Sequence, residues 1–474
     1  MRVGTRFLID KIMALALCLA VVLCAATTVT ARKAGTSAAL TFWSIFPQGD
    51  PKLAAMEQVI AEFEDRNPGI KIDHLGTNFW DYFGKLSTAQ AAGEDPDVAF
   101  NNLNDVYLRA KSGVVQSLTP RLQGMDLTQF NQNDLDFFTY DEEIYALPFS
   151  SDYRLLYYNK DHFAAAGLDP EKPPATVEEL IEYAAALDVW QGNATLQRVG
   201  FHPKLGNHDF WADVWNIGGE FFTEDGTPDL ENEKVIAGLR RYVELCNRYP
   251  TRAFNSFYTR TLAGEVDSFT YQHASMEVCG DWLAWEIRES VRKGETEGFN
   301  WDVAPYPYED GNRAAYGVGF SVEMSSHTEG EKADAAFKFM QYLTSYEVQA
   351  RWVELFKFTP VNMHVLQDMI NDPDTPQNVR NIFAEAPYKR PPDIFEARPQ
   401  WYDTVKSELA NALSGDKTVE QAMASANLAL KDALAVFKEE NPASPVDVFI
   451  PIVFGALVLA VIALYVFVRK KGAG

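Results

Sequence analysis

Between Lys52 and Asn67 apolar residues recur at helical spacing: Met56, Val59, Ile60 and Phe63 fall at i, i+3, i+4 and i+7. Asn67-Pro68-Gly69 closes that helix, since proline cannot continue it. Short apolar strands flank it, Leu40–Trp43 before and Ile70-Lys71-Ile72 after. A strand–helix–strand order predicts parallel pairing with a right-handed crossover. The alternation repeats: a helix over Trp80–Ala92 leads through Gly93-Glu94-Asp95-Pro96 into the strand Asp97–Phe100. Asn101, Asn102 and Asn104 lie just past that strand, and Trp43 ends the first one. Ligands of open α/β sheets collect outside the carboxyl ends of strands, so these residues are placed for a cleft.

From Leu147 to Pro170 the chain reads LPFSSDYRLLYYNKDHFAAAGLDP. A polar step, Ser150-Ser151-Asp152, precedes an apolar run, Leu155–Tyr158, and a short helix then stops at Gly167. This pattern predicts a buried strand that leaves one packed body and starts another. Beyond it the α/β alternation continues. Thr176 and Glu179 are spaced as a capping box, opening a helix with Val177, Leu180, Ile181, Ala184 and Leu187 inward. Phe210–Phe222 reads as a helix ended by Gly218-Gly219, with Trp211 and Trp215 on one face. Ser275–Trp282 reads as a strand ending in Gly280-Asp281-Trp282, and Gly317 and Gly319 mark a close backbone approach within Ala315–Val322. Glu331–Leu343 is helical, with Ala333, Ala336, Phe337, Met340 and Leu343 inward. The last body helix is capped by Thr418 with Gln421.

The two ends follow other patterns. Arg2, Arg6 and Lys11 precede an apolar run from Ile12 to about Val29, and Val29-Thr30-Ala31 offers a cleavage site before Arg32. That is a secretory signal layout over 1–31, with an uncleaved anchor as the other reading. Phe449–Val468 holds 20 residues without a charge, and Arg469, Lys470 and Lys471 follow. At about 1.5 Å per residue this run spans a ~30 Å bilayer core. The flanking positive charge predicts a cytoplasmic C-terminus and an extracytoplasmic body. The expectation is thus a single-pass cell-membrane protein with a tether at 441–448, a span at 449–468 and a tail at 469–474.

A net charge of −24 excludes nucleic acid as a natural partner. Cys246 and Cys279 could pair in an oxidising compartment, but nothing in the sequence brings them together, and two buried free thiols is the reading taken. The sequence contains no Walker-type phosphate loop, no Gly-x-Ser-x-Gly elbow and no His-Glu-x-x-His. His202 and His208 with Asp209 read as loop residues before they read as metal ligands. No catalytic residue, metal or cofactor is expected. Aromatic content is the chemical signal, with 10 Trp and 20 Tyr in the chain. Rings cover the C–H faces of sugars, while Asp, Asn and Arg satisfy the hydroxyl rim. Trp43, Asn101, Asp152, Arg154, Trp215, Asp281, Trp282 and Tyr316 are the candidate lining.

The apolar run ending Tyr158-Asn159, followed by a short helix ending Ala166-Gly167-Leu168, resembles the first interdomain crossing of the extracellular solute-binding proteins of ABC importers, family 1. The resemblance covers roughly Leu40 to Phe437, and departs at Leu155 and Ala165, where a small and a polar residue are usual. It implies an α/β, two-lobed periplasmic-binding-protein fold of type II with a hinge. Lobe 1 would be 38–151 and 303–357, and lobe 2 would be 152–302 and 358–440, with crossings at Trp301–Pro307 and Phe356–Val361. The family often places a Gly-x-Trp at a strand end with the Trp at the ligand, which Gly280-Asp281-Trp282 matches. The implied function is the substrate-binding component of an ABC importer, here expected to be membrane-tethered by the charge-free C-terminal run, where this chain departs from most relatives. It would close on a mono- or oligosaccharide and deliver it to the permease subunits. A peptide, polyamine or sugar-phosphate receptor, a ligand sensor and an extracellular glycosidase are the competing expectations.

Overall fold

In a computed structural model of the chain, residues 38–102, 106–192, 194–261, 267–317, 319–356 and 358–441 are described. Their strands are, in order, β1 (Ala38–Ser44), β2 (Ile70–Gly76), β3 (Val98–Asn102), β4 (Thr139–Tyr140), β5 (Glu143–Ile144), β6 (Ala146–Ser151) and β7 (Arg154–Asn159). Then come β8 (Val189–Gln191), β9 (Thr195–Arg198), β10 (Met276–Gly280), β11 (Trp301–Ala304), β12 (Ala315–Tyr316), β13 (Gly319–Met324), β14 (Thr359–Pro360) and β15 (Lys389–Arg390). The chain divides into two units: Met1–Asp152 with Val318–Pro387, and Tyr153–Gly317 with Tyr388–Gly474.

The first unit is built on a six-stranded sheet in the order β14-β6-β13-β3-β1-β2. β1 pairs in parallel with β2 and β3, as the strand–helix–strand pattern requires, and the remaining neighbours are antiparallel. The intervening helix, Pro51–Arg66, starts where the Asp50 side chain accepts from the Lys52 N–H. It buries Met56, Val59, Ile60 and Phe63. The Phe63 ring lies 5.1 Å from that of Phe339, on the helix Gly330–Leu343, which buries the five residues expected and Ala335 and Phe339 besides. A half-buried Arg109 pairs with the buried Glu323 on this sheet, its Nε donating to Oε2 at 2.7 Å.

The second unit is built around β7, which pairs antiparallel with β10 on one side and β11 on the other. Leu156 and Tyr158 enter a core with Phe163, Leu180, Ala184, Leu187, Met276 and Val278. The crossing segment is therefore two strands, β6 in one unit and β7 in the other. Asn159 ends β7 and caps the helix Lys160–Ala165, accepting from the His162 N–H at 2.9 Å. Gly167 follows with φ of +79°, which an L-residue adopts only under strain.

Several elements stop at other places than expected. The helix from Phe210 ends at Trp215, because Asn216 turns its side chain back to the Ala212 carbonyl and across to Ala314. Thr176 caps its helix, but Glu179 accepts from the Ala175 N–H instead of closing the reciprocal bond. At Thr418 and Gln421 both bonds of the capping box form. The second and third division points, after Gly317 and Pro387, lie further along the chain than 302/303 and 357/358. The reason is pairing: β11 joins β7 in the second unit, and β14 joins β6 in the first. Cys246 and Cys279 are free thiols.

Among the described residues no helix is long and apolar enough to cross a membrane. The signal segment 1–31, most of the tether 441–448, the span 449–468 and the tail 469–474 lie outside the described residues. The expected single-pass cell-membrane localisation is corrected accordingly: anchoring by a C-terminal helix has no support here and is not carried forward.

Two buried histidines give the fold a pH dependence. His202 stacks on Phe254 at 3.7 Å and its Nε2 meets the Cys246 carbonyl at 3.0 Å. Burial above all pushes its pKa down to about 3, and burial likewise pushes His162 down to about 4. Both stay neutral in the folded chain, while the unfolded chain protonates them near pH ~6.5. A depressed folded pKa means that the unfolded state binds more protons, so stability falls as pH drops through this window. The unfolding temperature should fall between pH ~6.5 and ~4, each pKa unit being worth about 1.4 kcal/mol. In the double variant His162→Gln, His202→Gln that fall should be visibly smaller by calorimetry.

Candidate ligand-binding face

Arg154 is the first residue of β7, and its cross-strand partner is Gly280, the last residue of β10. Two residues on, Trp282 folds back over that strand end. An added Cβ at Gly280 would lie 1.8 Å from Trp282 Cζ3, so glycine is what leaves room for the ring. The Arg154 guanidinium lies 5.1 Å from the Trp282 ring centroid and 4.9 Å from that of Tyr316. A cation held over two aromatic faces gains about 0.5–2 kcal/mol per contact, depending on how far water is excluded. Tyr316 is positioned by β12, which pairs in parallel with β15 and sets Tyr316 opposite Arg390.

Behind Tyr316 the helix Phe210–Trp215 supplies two indoles. Trp211 stacks on Tyr316 with centroids 5.9 Å apart and planes 8° apart, and Trp215 lies 6.2 Å from Tyr316. Both tryptophans are buried in the second unit's core, and Trp215 Nε1 has no hydrogen-bond partner. Over Trp215, at 4.3 Å, lies the guanidinium of Arg390. Burial pulls the Arg390 pKa down, but Glu220 and Asp393 outweigh it and hold the charge. Asp281 is buried at the end of β10. Of the eight expected lining residues the second unit thus brings four into one contiguous group: Arg154, Trp215, Trp282 and Tyr316.

The first unit carries the other three. Trp43, in β1, is half-buried; its carbonyl accepts from the Tyr82 hydroxyl at 3.1 Å and Lys85 Nζ lies 5.1 Å over its ring. Asn101 is buried, its Nδ2 donating to Glu323 Oε2 at 3.1 Å and its Oδ1 accepting from the Asn102 N–H. Asp152 is half-buried just after β6. Arg390 and an aromatic group at the start of the helix Phe79–Ala92 escaped the sequence reading. Trp80 there is 85% exposed, propped edge-on by Phe79 at 5.1 Å, beside Phe83 and Phe320. The signal was present in Asn78-Phe79-Trp80, where an N-cap asparagine past a strand end puts aromatics into the first turn. His202 and His208 face different partners, the latter pairing with Asp213 at 2.7 Å.

The second unit thus places one guanidinium over two aromatic rings where β7 begins and β10 ends. The chain belongs to the bacterial extracellular solute-binding proteins, whose family model matches residues 58–379. That family consists of binding proteins, not enzymes, and its placement is extracellular. A binding protein of Brucella abortus (strain 2308) is 26% identical over 308 residues, covering 65% of this chain and 72% of the relative. The sn-glycerol-3-phosphate-binding periplasmic protein UgpB of Escherichia coli K12 is 26% identical over 298 residues, covering 58% of this chain and 64% of the relative. An ABC transporter solute-binding protein of Thermotoga lettingae, solved with alpha-D-tagatose, superposes with a TM-score of 0.68. It is 26% identical, and the match covers 84% of this chain and 100% of that one.

The glycine at the strand end gives a direct test of the cage. Gly280→Ala should displace the Trp282 ring and destabilise the fold by about 1–3 kcal/mol, the usual cost of overpacking. Its near-ultraviolet circular dichroism should move toward that of Trp282→Phe, with the far-ultraviolet spectrum unchanged.

Proposed function

We propose that this chain is the substrate-binding component of an ABC importer and that its ligand is a mono- or oligosaccharide, held by hinge closure and delivered to permease subunits. The observation that carries this reading is the Arg154 guanidinium over Trp282 and Tyr316, backed by Trp211 and Trp215. Rings accept the C–H face of a sugar, and a planar guanidinium offers several N–H groups to its hydroxyls. An unmet hydrogen bond in a closed site costs about 1–3 kcal/mol, so such donors also select the ligand. The proposed lining is Trp43, Asn101, Asp152, Arg154, Trp215, Asp281, Trp282 and Tyr316, with Arg390 and Trp80 added. Asn101 has one Nδ2 hydrogen left for a ligand once Glu323 is satisfied. The tagatose in the Thermotoga lettingae relative supports the same ligand class.

The second reading, a sugar phosphate, draws on the Escherichia coli relative and on the presence of two guanidiniums. Arg390 argues against it. Its charge is already met by Glu220 and Asp393, which lowers its value to a phosphate dianion.

Thermal unfolding of the purified protein against neutral sugars, their phosphate esters, peptides and polyamines separates these readings. A ligand at a hundred times its dissociation constant adds about 2.7 kcal/mol. One group of neutral saccharides should raise the unfolding temperature and be recovered intact. A rise with phosphate esters, peptides or polyamines alone contradicts the carbohydrate reading, and consumption of the sugar contradicts the binding-protein reading.

A further inference from the structure

Strand β10 alternates in an unusual way. Met276 and Val278 enter the apolar core beside β7, so Glu277 and Cys279 point to the opposite face. That face is not solvent: Glu277 is 0% and Cys279 3% exposed. Asp267, from the segment before the strand, brings its carboxylate to the same place. The donor atoms of Asp267, Glu277 and Cys279 all lie within 4.8 Å of one another.

The environment around Glu277 is incomplete as it stands. Neither of its carboxylate oxygens receives a hydrogen bond. Burial first, then Asp267, push its carboxyl well above the usual range, and the nearby Phe269 N–H opposes this without reaching hydrogen-bond geometry. A loop closes over the group: the Asn207 N–H donates to the Val278 carbonyl at 2.7 Å, and Asn207 Oδ1 accepts from Cys279 Sγ at 3.3 Å. Gly206 makes that approach possible, with φ of +70° and a Cβ position only 2.7 Å from Glu277 Oε1. Buried carboxylates are tolerated when a cation or a shared proton neutralises them.

We propose that Asp267, Glu277 and Cys279 form a site for one zinc-type divalent cation, with Asn207 Oδ1 or a water as fourth ligand. The donor set selects the ion. A thiolate disfavours magnesium and calcium, and zinc takes one sulfur at about 2.3 Å and oxygens at about 2.0–2.2 Å in a tetrahedron. Tetrahedral neighbours at those lengths lie about 3.5 Å apart, so the donors draw together by about 1 Å on binding. Binding releases the proton that the buried Cys279 thiol carries and the one that the buried Glu277 carboxyl carries, so affinity rises with pH. The bound ion pins the end of β10, three residues before Trp282.

Cobalt(II) reports on this site because a thiolate–cobalt bond absorbs in the near ultraviolet. The full chain carrying Cys18→Ser, Cys24→Ser and Cys246→Ser keeps Cys279 as its one thiol. One equivalent of Co2+ should give it the charge-transfer band, and Zn2+ should remove the band one for one. Cys279→Ser should abolish it, and Glu277→Gln should weaken Co2+ at least tenfold. Without any cysteine substitution, Zn2+ should raise the unfolding temperature of the chain but not that of Glu277→Gln. No band in the folded single-thiol chain, or equal Co2+ affinity and equal Zn2+ response in Glu277→Gln, overturns the proposal.

Discussion

A guanidinium at the first position of a buried strand is the constraint on which the proposed ligand face depends. β7 is hydrogen-bonded on both edges, and every residue from Leu155 to Asn159 is buried. Its start therefore cannot drift, and Arg154 is delivered to one place. The opposite strand ends there in glycine, which lets Trp282 lie against the backbone. Tyr316 arrives from a separate two-stranded ladder. Three chain segments distant in sequence thus meet at one cation, and none of them makes the cage alone.

The layers behind this face are rigid for identifiable reasons. Asn216 makes three side-chain bonds, to Ala212 and to both polar groups of Ala314, tying the tryptophan helix to β12. Arg390 covers Trp215 while Glu220 and Asp393 hold its charge. Placing donors in advance lowers the ordering cost of binding, which otherwise offsets much of what the contacts contribute. In the first unit Glu323 does comparable work, gathering Arg109, Asn101 and Ser321 on one buried carboxylate.

What could be read from the sequence was what is local. The helix Pro51–Arg66, its parallel flanking strands and the Thr418 capping box follow from spacing within a few turns of chain. Trp282 stood out in the sequence as a strand-end tryptophan two residues past Gly280, and the structure puts its ring against that glycine and beside Arg154. Arg390 did not stand out, since its meaning lies in Glu220, 170 residues away. Asn101 shows the same limit: as an asparagine past a strand it reads as a free amide, yet Glu323, 222 residues on, claims part of it. The division points shifted for the same reason, because strand pairing over long separations decides which unit β11 and β14 join. The hydropathy of the C-terminal run led to an anchor that no described helix supports.

Calorimetric titration of Arg154→Lys with the sugar that stabilises the unaltered protein tests the central claim most directly. Lysine keeps the charge but loses the planar, multi-donor fork that arginine holds over the Trp282 and Tyr316 rings. The account predicts at least a tenfold loss of affinity, about 1.4 kcal/mol or more, with the ligand-free unfolding temperature little changed. Equal affinity in the two proteins would contradict it and move recognition to another face of the molecule.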